Sequence, residues 1–163
     1  MAHIPEVISH WNTLIENFNA SPKQFYDGVT NAVAARQVPN AQISRIHWRE
    51  GSIASAKREY LRIRRGEFFF DICGAPFGTG FFVSWWLTEM PQGCLIQLLS
   101  DIPVVGAFAK LMVAPMTYYR VDTAIMFQSA THAAVLEVID QITSAKGIRG
   151  LSDAERKPVM REF

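Results

Sequence analysis

The chain has 163 residues, enough for one domain with a substantial core and too few for two of ordinary size. About half of it is hydrophobic (49%), 12% is aromatic and only 19% is charged, a balance that excludes a disordered chain, a coiled coil and a disulfide scaffold. Sixteen Lys and Arg against fifteen Asp and Glu leave a net charge of +1, so overall charge does not call for nucleic acid as a partner.

From Pro5 to Phe18 the apolar residues Val7, Ile8, Trp11, Leu14, Ile15 and Phe18 recur at helical spacing and predict an amphipathic helix. Asn19-Ala20 breaks it. Ser21-Pro22-Lys23-Gln24 then supplies an N-cap, a first-turn proline and a capping-box glutamine for a second helix, with Phe25, Tyr26, Val29 and Val33 facing inward. Residues 1–38 are therefore expected to form a helical hairpin, ended before Pro39.

After Asn40 the period becomes two. Ile43 to Arg49 alternates, and so does Arg58 to Arg65; Arg65-Gly66-Glu67 makes a tight turn into the aromatic run Phe68 to Cys73. Gly74 to Gly80 reads as a loop, and Phe81 to Thr88 as the next strand. Residues 91–117 are apolar except for Asp101 and Lys110. Tyr118 to Thr123 reads as a short strand or connector. Asp122 or Thr123 would cap a last helix with Val135, Val138, Ile139 and Ile142 on its core face, closed by Lys146-Gly147. In the tail, Ser152 to Glu155 is a capping box for a single turn ended by Pro158.

The expected fold is α+β. An antiparallel sheet of four to five strands (42–90) packs with the N-terminal helical hairpin (1–38) and, after a strand or connector, a long C-terminal helix (together 118–147), the apolar segment (91–117) and tail (148–163) completing one domain.

Several chemistries are disfavoured. Cys73 and Cys94 form no CxxC, and the histidines at 3, 10, 47 and 132 never fall at i, i+4 spacing, so no metal site and no cofactor are expected. Gly74, Gly78 and Gly80 do not make a nucleotide cradle. Ser129, His132 and Asp122 lack a nucleophile elbow, so no catalytic residues are assigned. Asp71, in an aromatic strand, is expected to be buried with an arginine partner. The N-terminus has no basic run followed by an apolar core, and a cytoplasmic protein is expected, with a station at the cytoplasmic face of the membrane.

Two features carry the functional reading. Between Ile43 and Glu67 seven basic residues face three acids, a local net of +4. Arg45, Arg49, Arg58, Arg62 and Arg64 are the candidate anion- or lipid-binding set, on the expectation that Arg45, His47 and Arg49 share a sheet face with Arg58, Tyr60, Arg62 and Arg64. Beside them the apolar segment offers Leu95, Ile96, Leu98, Leu99, Val104, Val105, Phe108, Leu111 and Met112 as a membrane or oligomer contact. Its charge-free runs are too short to span a bilayer, which takes roughly 20 apolar residues, and Trp85, Trp86, Tyr118 and Tyr119 flank it as interfacial aromatics. The leading expectation is a non-enzymatic module that binds an anionic membrane surface or a membrane-bound protein. Two alternatives stand beside it. One is a soluble homo-oligomeric scaffold with the apolar segment as interface. The other is an enzyme or carrier of a small hydrophobic ligand, using an aromatic pocket around Phe68 to Trp86 with Asp71 and Ser84 converging on it.

Overall fold

The computed structural model describes residues 6–49, 57–90 and 117–160. Its elements follow in the order β1 (Glu6–Ile15), α1 (Pro22–Ala35), β2 (Gln42–Arg49), β3 (Lys57–Arg65), β4 (Phe68–Phe77), β5 (Gly80–Glu89), α2 (Tyr118–Ser144) and β6 (Val159–Met160). The strands form one sheet in the order β2-β3-β4-β5-β1-β6, every neighbour antiparallel. The α+β class and the long C-terminal helix are as expected. The sheet has six strands, and the N-terminal hairpin is instead one strand followed by one helix.

The first segment is misread for a physical reason. Val7 pairs with Thr88 but Ser9 pairs with Leu87, so the ladder slips at Ile8, and a bulge of this kind breaks strand alternation. The positions that then face inward are Ser9, Trp11, Thr13 and Ile15, two of them polar, while Val7 and Leu14 lie on the outer face and are exposed. The apolar residues that remain mimic a 3.6-residue period.

Alternation elsewhere gives the sheet one apolar face. Leu61 and Ile63 of β3, Phe70 and Ile72 of β4, and Phe81, Val83, Trp85 and Leu87 of β5 are buried there. Both helices lie on this face. From α1 come Phe25, Tyr26, Val29 and Val33, and from α2 Phe127, Val135, Val138 and Ile139. Phe70 lies tilted against Trp85 with ring centroids 4.5 Å apart and meets Phe127 edge-on, and Phe25 meets Phe81 edge-on. Each such side chain contributes roughly 1.5–3 kcal/mol on burial.

β4 continues through Gly74, Ala75 and Pro76 to Phe77, where a loop is expected from sequence. Pro76 is tolerated because β3 pairs with β4 only as far as Leu61–Ile72, so the missing N–H faces no partner strand. Gly74 is there for space, since a Cβ would lie 2.5 Å from the Phe25 ring.

Helix α2 starts four residues before Asp122. Thr117 is its N-cap and accepts from the Arg120 N–H through its side chain, so residues 118–123 are the first turns rather than a connector. Beyond Gly147, at φ +66°, the tail is tied down. The Trp11 indole donates to the Glu155 carbonyl (2.7 Å), Arg156 grips Asp140 through two hydrogen bonds (3.0 and 2.7 Å), and β6 pairs with Ser9 and His10 of β1. The expected Ser152–Glu155 capping box forms, with the Ser152 N–H donating to Glu155 Oε2 at 2.7 Å.

Candidate anion-binding corner

The register of β2 on β3 decides what the arginine-rich hairpin can do. Arg45 lies opposite Leu61, His47 opposite Glu59 and Arg49 opposite Lys57, whereas Ser44 lies opposite Arg62, Gln42 opposite Arg64 and Trp48 opposite Arg58. Directly opposed residues share a face. Arg45 and His47 are therefore on the helix-bearing side, and Arg58, Tyr60, Arg62 and Arg64 on the other; the Arg49 side chain lies outside the described ones. The single basic face expected from sequence is corrected: this register pairs odd residues with odd, and a shift of one residue would reverse it.

Most arginines in the structure have a carboxylate. Arg45 bonds Asp27 of α1 (2.8 Å) and Glu59 (3.3 Å) and lies over the Tyr26 ring. Arg62 forms a bidentate pair with Asp71 (2.7 and 2.6 Å) and covers the Phe69 ring; this is the buried Asp71–arginine pair expected from sequence. Arg36, Arg120, Arg149 and Arg156 are paired with acids as well. Three arginines on β3 have no carboxylate among the described residues. Arg58 is exposed, and burial pushes the pKa of the neighbouring Tyr60 hydroxyl up. Arg64 donates from Nε to the Gly66 carbonyl (3.0 Å), and Arg65 donates from Nε to the Pro39 carbonyl (3.2 Å).

Arg64 and Arg65 belong to a corner where several elements end. The β3–β4 turn is tight because Gly66 takes φ +61°, a left-handed conformation that favours glycine. Next to it β5 ends at Glu89 and α2 begins at Tyr118. Arg120 of α2 fastens these ends by pairing with Glu89 and with Glu67 (3.5 Å), and the Met90 N–H donates to the Glu67 carbonyl (3.0 Å). Tyr118 and Tyr119 are 92% and 77% exposed there. Two adjoining hollows open at the turn. One, of about 260 Å³, is lined by Arg65, Glu67, Tyr119 and Arg120; the other, of about 220 Å³, by Gln42 and Arg64; Asn40 and Gly66 line both.

The other sequence candidates fall as follows. Trp85 is core, its indole donating to His132 Nδ1 (3.0 Å), while Trp86 is exposed on the outer face and stacks on His10. Asp71 and Ser84 lie on that outer face and do not converge on the inward aromatics Phe70, Phe81 and Trp85. His132 is buried, and its second nitrogen donates to the Arg156 carbonyl (2.7 Å), which leaves no nitrogen to activate a serine. The apolar contact set Leu95, Ile96, Leu98, Leu99, Val104, Val105, Phe108, Leu111 and Met112 lies outside the described residues, as does Cys94. Cys73 is buried, and burial pushes its thiol pKa up. Arg65 is absent from the sequence-predicted set; its place beside Gly66 at a strand end is the signal that could have found it.

No helix among the described residues is long and apolar enough to cross a membrane. Comparison with family models, with curated proteins and with solved structures finds no match to this chain.

Proposed function

We propose that the chain is a non-enzymatic module that docks on an anionic membrane surface at the cytoplasmic face, using the Gly66 end of its sheet. The observation that carries this reading is one juxtaposition. The points where the apolar stretch 91–116 leaves β5 and enters α2 are held together by Arg120, Glu89 and Glu67, beside two arginines with no carboxylate among the described residues and two exposed tyrosines. Basic residues near an anionic leaflet contribute about 1 kcal/mol each, and tyrosines suit the headgroup level because one end of the ring is apolar and the other wet. An apolar stretch between them supplies the insertion that charge alone does not.

The test is co-sedimentation with phosphatidylserine–phosphatidylcholine vesicles. Binding that weakens with salt, and that falls about 30-fold in Arg64→Ala/Arg65→Ala, is expected from two lost charges at about 1 kcal/mol each. Recovery of all the protein in the supernatant at low salt overturns the proposal. A stable oligomer found in that supernatant would favour the homo-oligomeric scaffold.

A further inference from the structure

We infer that the C-terminal tail, residues 148–160, is a strap that neutral His132 latches and that protonation of this ring releases. His132 stands between the core and the tail. On one side the Trp85 indole, fully buried in β5, donates to Nδ1 (3.0 Å); on the other, Nε2 donates to the Arg156 carbonyl of the tail (2.7 Å). An indole nitrogen only donates and a carbonyl only accepts, so these two neighbours admit one state of the ring, the neutral one with its hydrogen on Nε2. A further proton sets an N–H on Nδ1 against the indole N–H, two buried donors with no acceptor between them.

The groups around the ring do not favour the imidazolium. Among the described residues no carboxylate lies within ion-pair distance of it. From α2, Asp140 is engaged by both terminal nitrogens of Arg156 (3.0 and 2.7 Å). From the tail come the Arg156 guanidinium, whose charge opposes a second cation, Asp153, which acts on Arg156, and Glu155, whose carboxylate is taken by Ser152 and Arg149. β1 presents the Trp11 ring and β5 the Trp85 ring, both edge-on and both uncharged. A charged His132 must leave Trp85 for water, and the tail lies on that side: Glu155 is exposed and Arg156 half-buried, while Trp85 is packed on Phe70 in the core.

The tail is also the part able to yield. Its attachments among the described residues are mostly polar: β6 pairs with Ser9 and His10 alone, the Trp11 indole donates to the Glu155 carbonyl, and the Gln128 amide donates to Met160 Sδ (3.3 Å). Ile148 and Leu151 touch the core while only partly buried, and Val159 and Met160 are exposed. A hollow of about 580 Å³ already parts the tail at Arg149, Gly150 and Leu151 from the end of β1 at Leu14, Ile15 and Asn17. When the strap lifts, it uncovers the edge of β1 and the Trp11 indole. It shares no residue with the Gly66 corner, so the inference stands apart from the membrane reading.

Amide hydrogen exchange corrected for the intrinsic rate, read by mass spectrometry between about pH 7.5 and 5, where ordinary carboxylates stay ionised, follows peptides from 148–160 and from α1 while NMR follows the His132 ring. Expected is a loss of protection of about tenfold or more in the tail, with its midpoint at the His132 titration below about pH 6.5, and no loss in α1. His132→Gln, whose amide is able to accept from Trp85 and donate to the Arg156 carbonyl but does not titrate, should keep the tail protected throughout. A tail that stays protected while His132 titrates, or a ring that stays neutral across the range, overturns the latch. So does a step that persists in His132→Gln, or a loss in the tail and α1 together, which would make protonation a global unfolding event. If the variant does not fold, the wild type alone decides: a tail midpoint that differs from that of His132 refutes the inference.

Discussion

Tyr26 enters the sheet where β3 and β4 part, and its hydroxyl takes the place of a ladder hydrogen bond. Strand pairing ends at Leu61–Ile72. Two residues further along, the register would oppose Glu59 and Gly74, but the Tyr26 hydroxyl stands between them, donating to the Glu59 carbonyl (2.8 Å) and accepting from the Gly74 N–H (3.0 Å). Burial pushes the phenol pKa well above its ordinary value, so the proton that Glu59 receives stays in place across the neutral range. Tyr26→Phe removes both bonds and keeps the ring against Phe25. A stranded buried polar group costs about 1–3 kcal/mol. The Gly74 amide is buried and pays in full, while the Glu59 carbonyl is nearer water and pays less, which gives a loss of about 2–4 kcal/mol. At about 2–4 °C per kcal/mol for a chain of this size, Tm falls by roughly 4–16 °C. Urea denaturation with amide hydrogen exchange at Gly74 measures both the loss and its location. A change under about 0.5 kcal/mol with Gly74 protection intact would mean that the strands close over the gap, and the bridging role would be wrong.

His132 predicts an acid limit to stability. Burial holds its pKa below the ordinary value near 6.5, and the charge of Arg156 acts the same way, against the hydrogen bond to the Arg156 carbonyl. The unfolded chain therefore binds a proton that the folded one refuses; the stabilisation is complete above about pH 6.5 and is lost as pH falls toward the lower folded value. Urea midpoints measured across that range should fall with pH in the wild type, with a smaller slope in His132→Gln; an identical slope in the variant assigns the effect elsewhere. The glycines separate two kinds of constraint. Gly74→Ala sets a Cβ 2.5 Å from the Phe25 ring and 3.1 Å from Phe81 and should cost about 1–3 kcal/mol or more through overpacking. Gly66→Ala meets no atom within 4 Å and should cost only the left-handed backbone, about 1–2 kcal/mol. If denaturation shows Gly74→Ala to be the milder change, the close packing of α1 on β4 is misplaced.

How much of this fold is legible in the sequence depends on whether neighbours in the chain are also neighbours in space. The start of α1 at Ser21-Pro22, the alternation of β2 and β3, the turn at Gly66 and the capping box at Ser152 are local and appear where the pattern puts them, although the Ser21 side chain makes no cap hydrogen bond and the expected Gln24 capping box does not form. β1 is not local. Its identity rests on pairing with β5, some seventy residues on, and its bulge at Ile8 scrambles the period that would announce it. The same holds for Gly74 and Pro76, which look like loop residues because the reasons they fit a strand lie in α1 and in the end of β3 pairing. His132 reads as a boundary residue until Trp85 and the Arg156 carbonyl are seen on either side of its ring.

The arginines teach the same lesson for the site, and they also fix the orientation in which it works. A sum over residues 43–67 credits the hairpin with +4, yet Arg45 and Arg62 are balanced by Asp27 and Asp71, which lie outside that window. Among the described side chains, the arginines that remain without a carboxylate are Arg58 at one end of β3 and Arg64 with Arg65 at the other. Six residues of extended strand place Arg58 about 20 Å from Arg64, roughly two Debye lengths at physiological salt. Docking by the Gly66 end leaves Arg58 screened from the leaflet, so Arg58→Ala should change vesicle affinity by less than about twofold where Arg64→Ala changes it by about fivefold. Docking by the whole outer face, with Trp48 and Trp86 against the bilayer, would make the two substitutions equivalent and would add a loss in Trp86→Ala. Equal effects of Arg58→Ala and Arg64→Ala in the same vesicle assay therefore refute the end-on geometry. Arg58, which pairs with no acid among the described residues and lies at the far end of β3 from Gly66, is the internal control for Arg64 and Arg65.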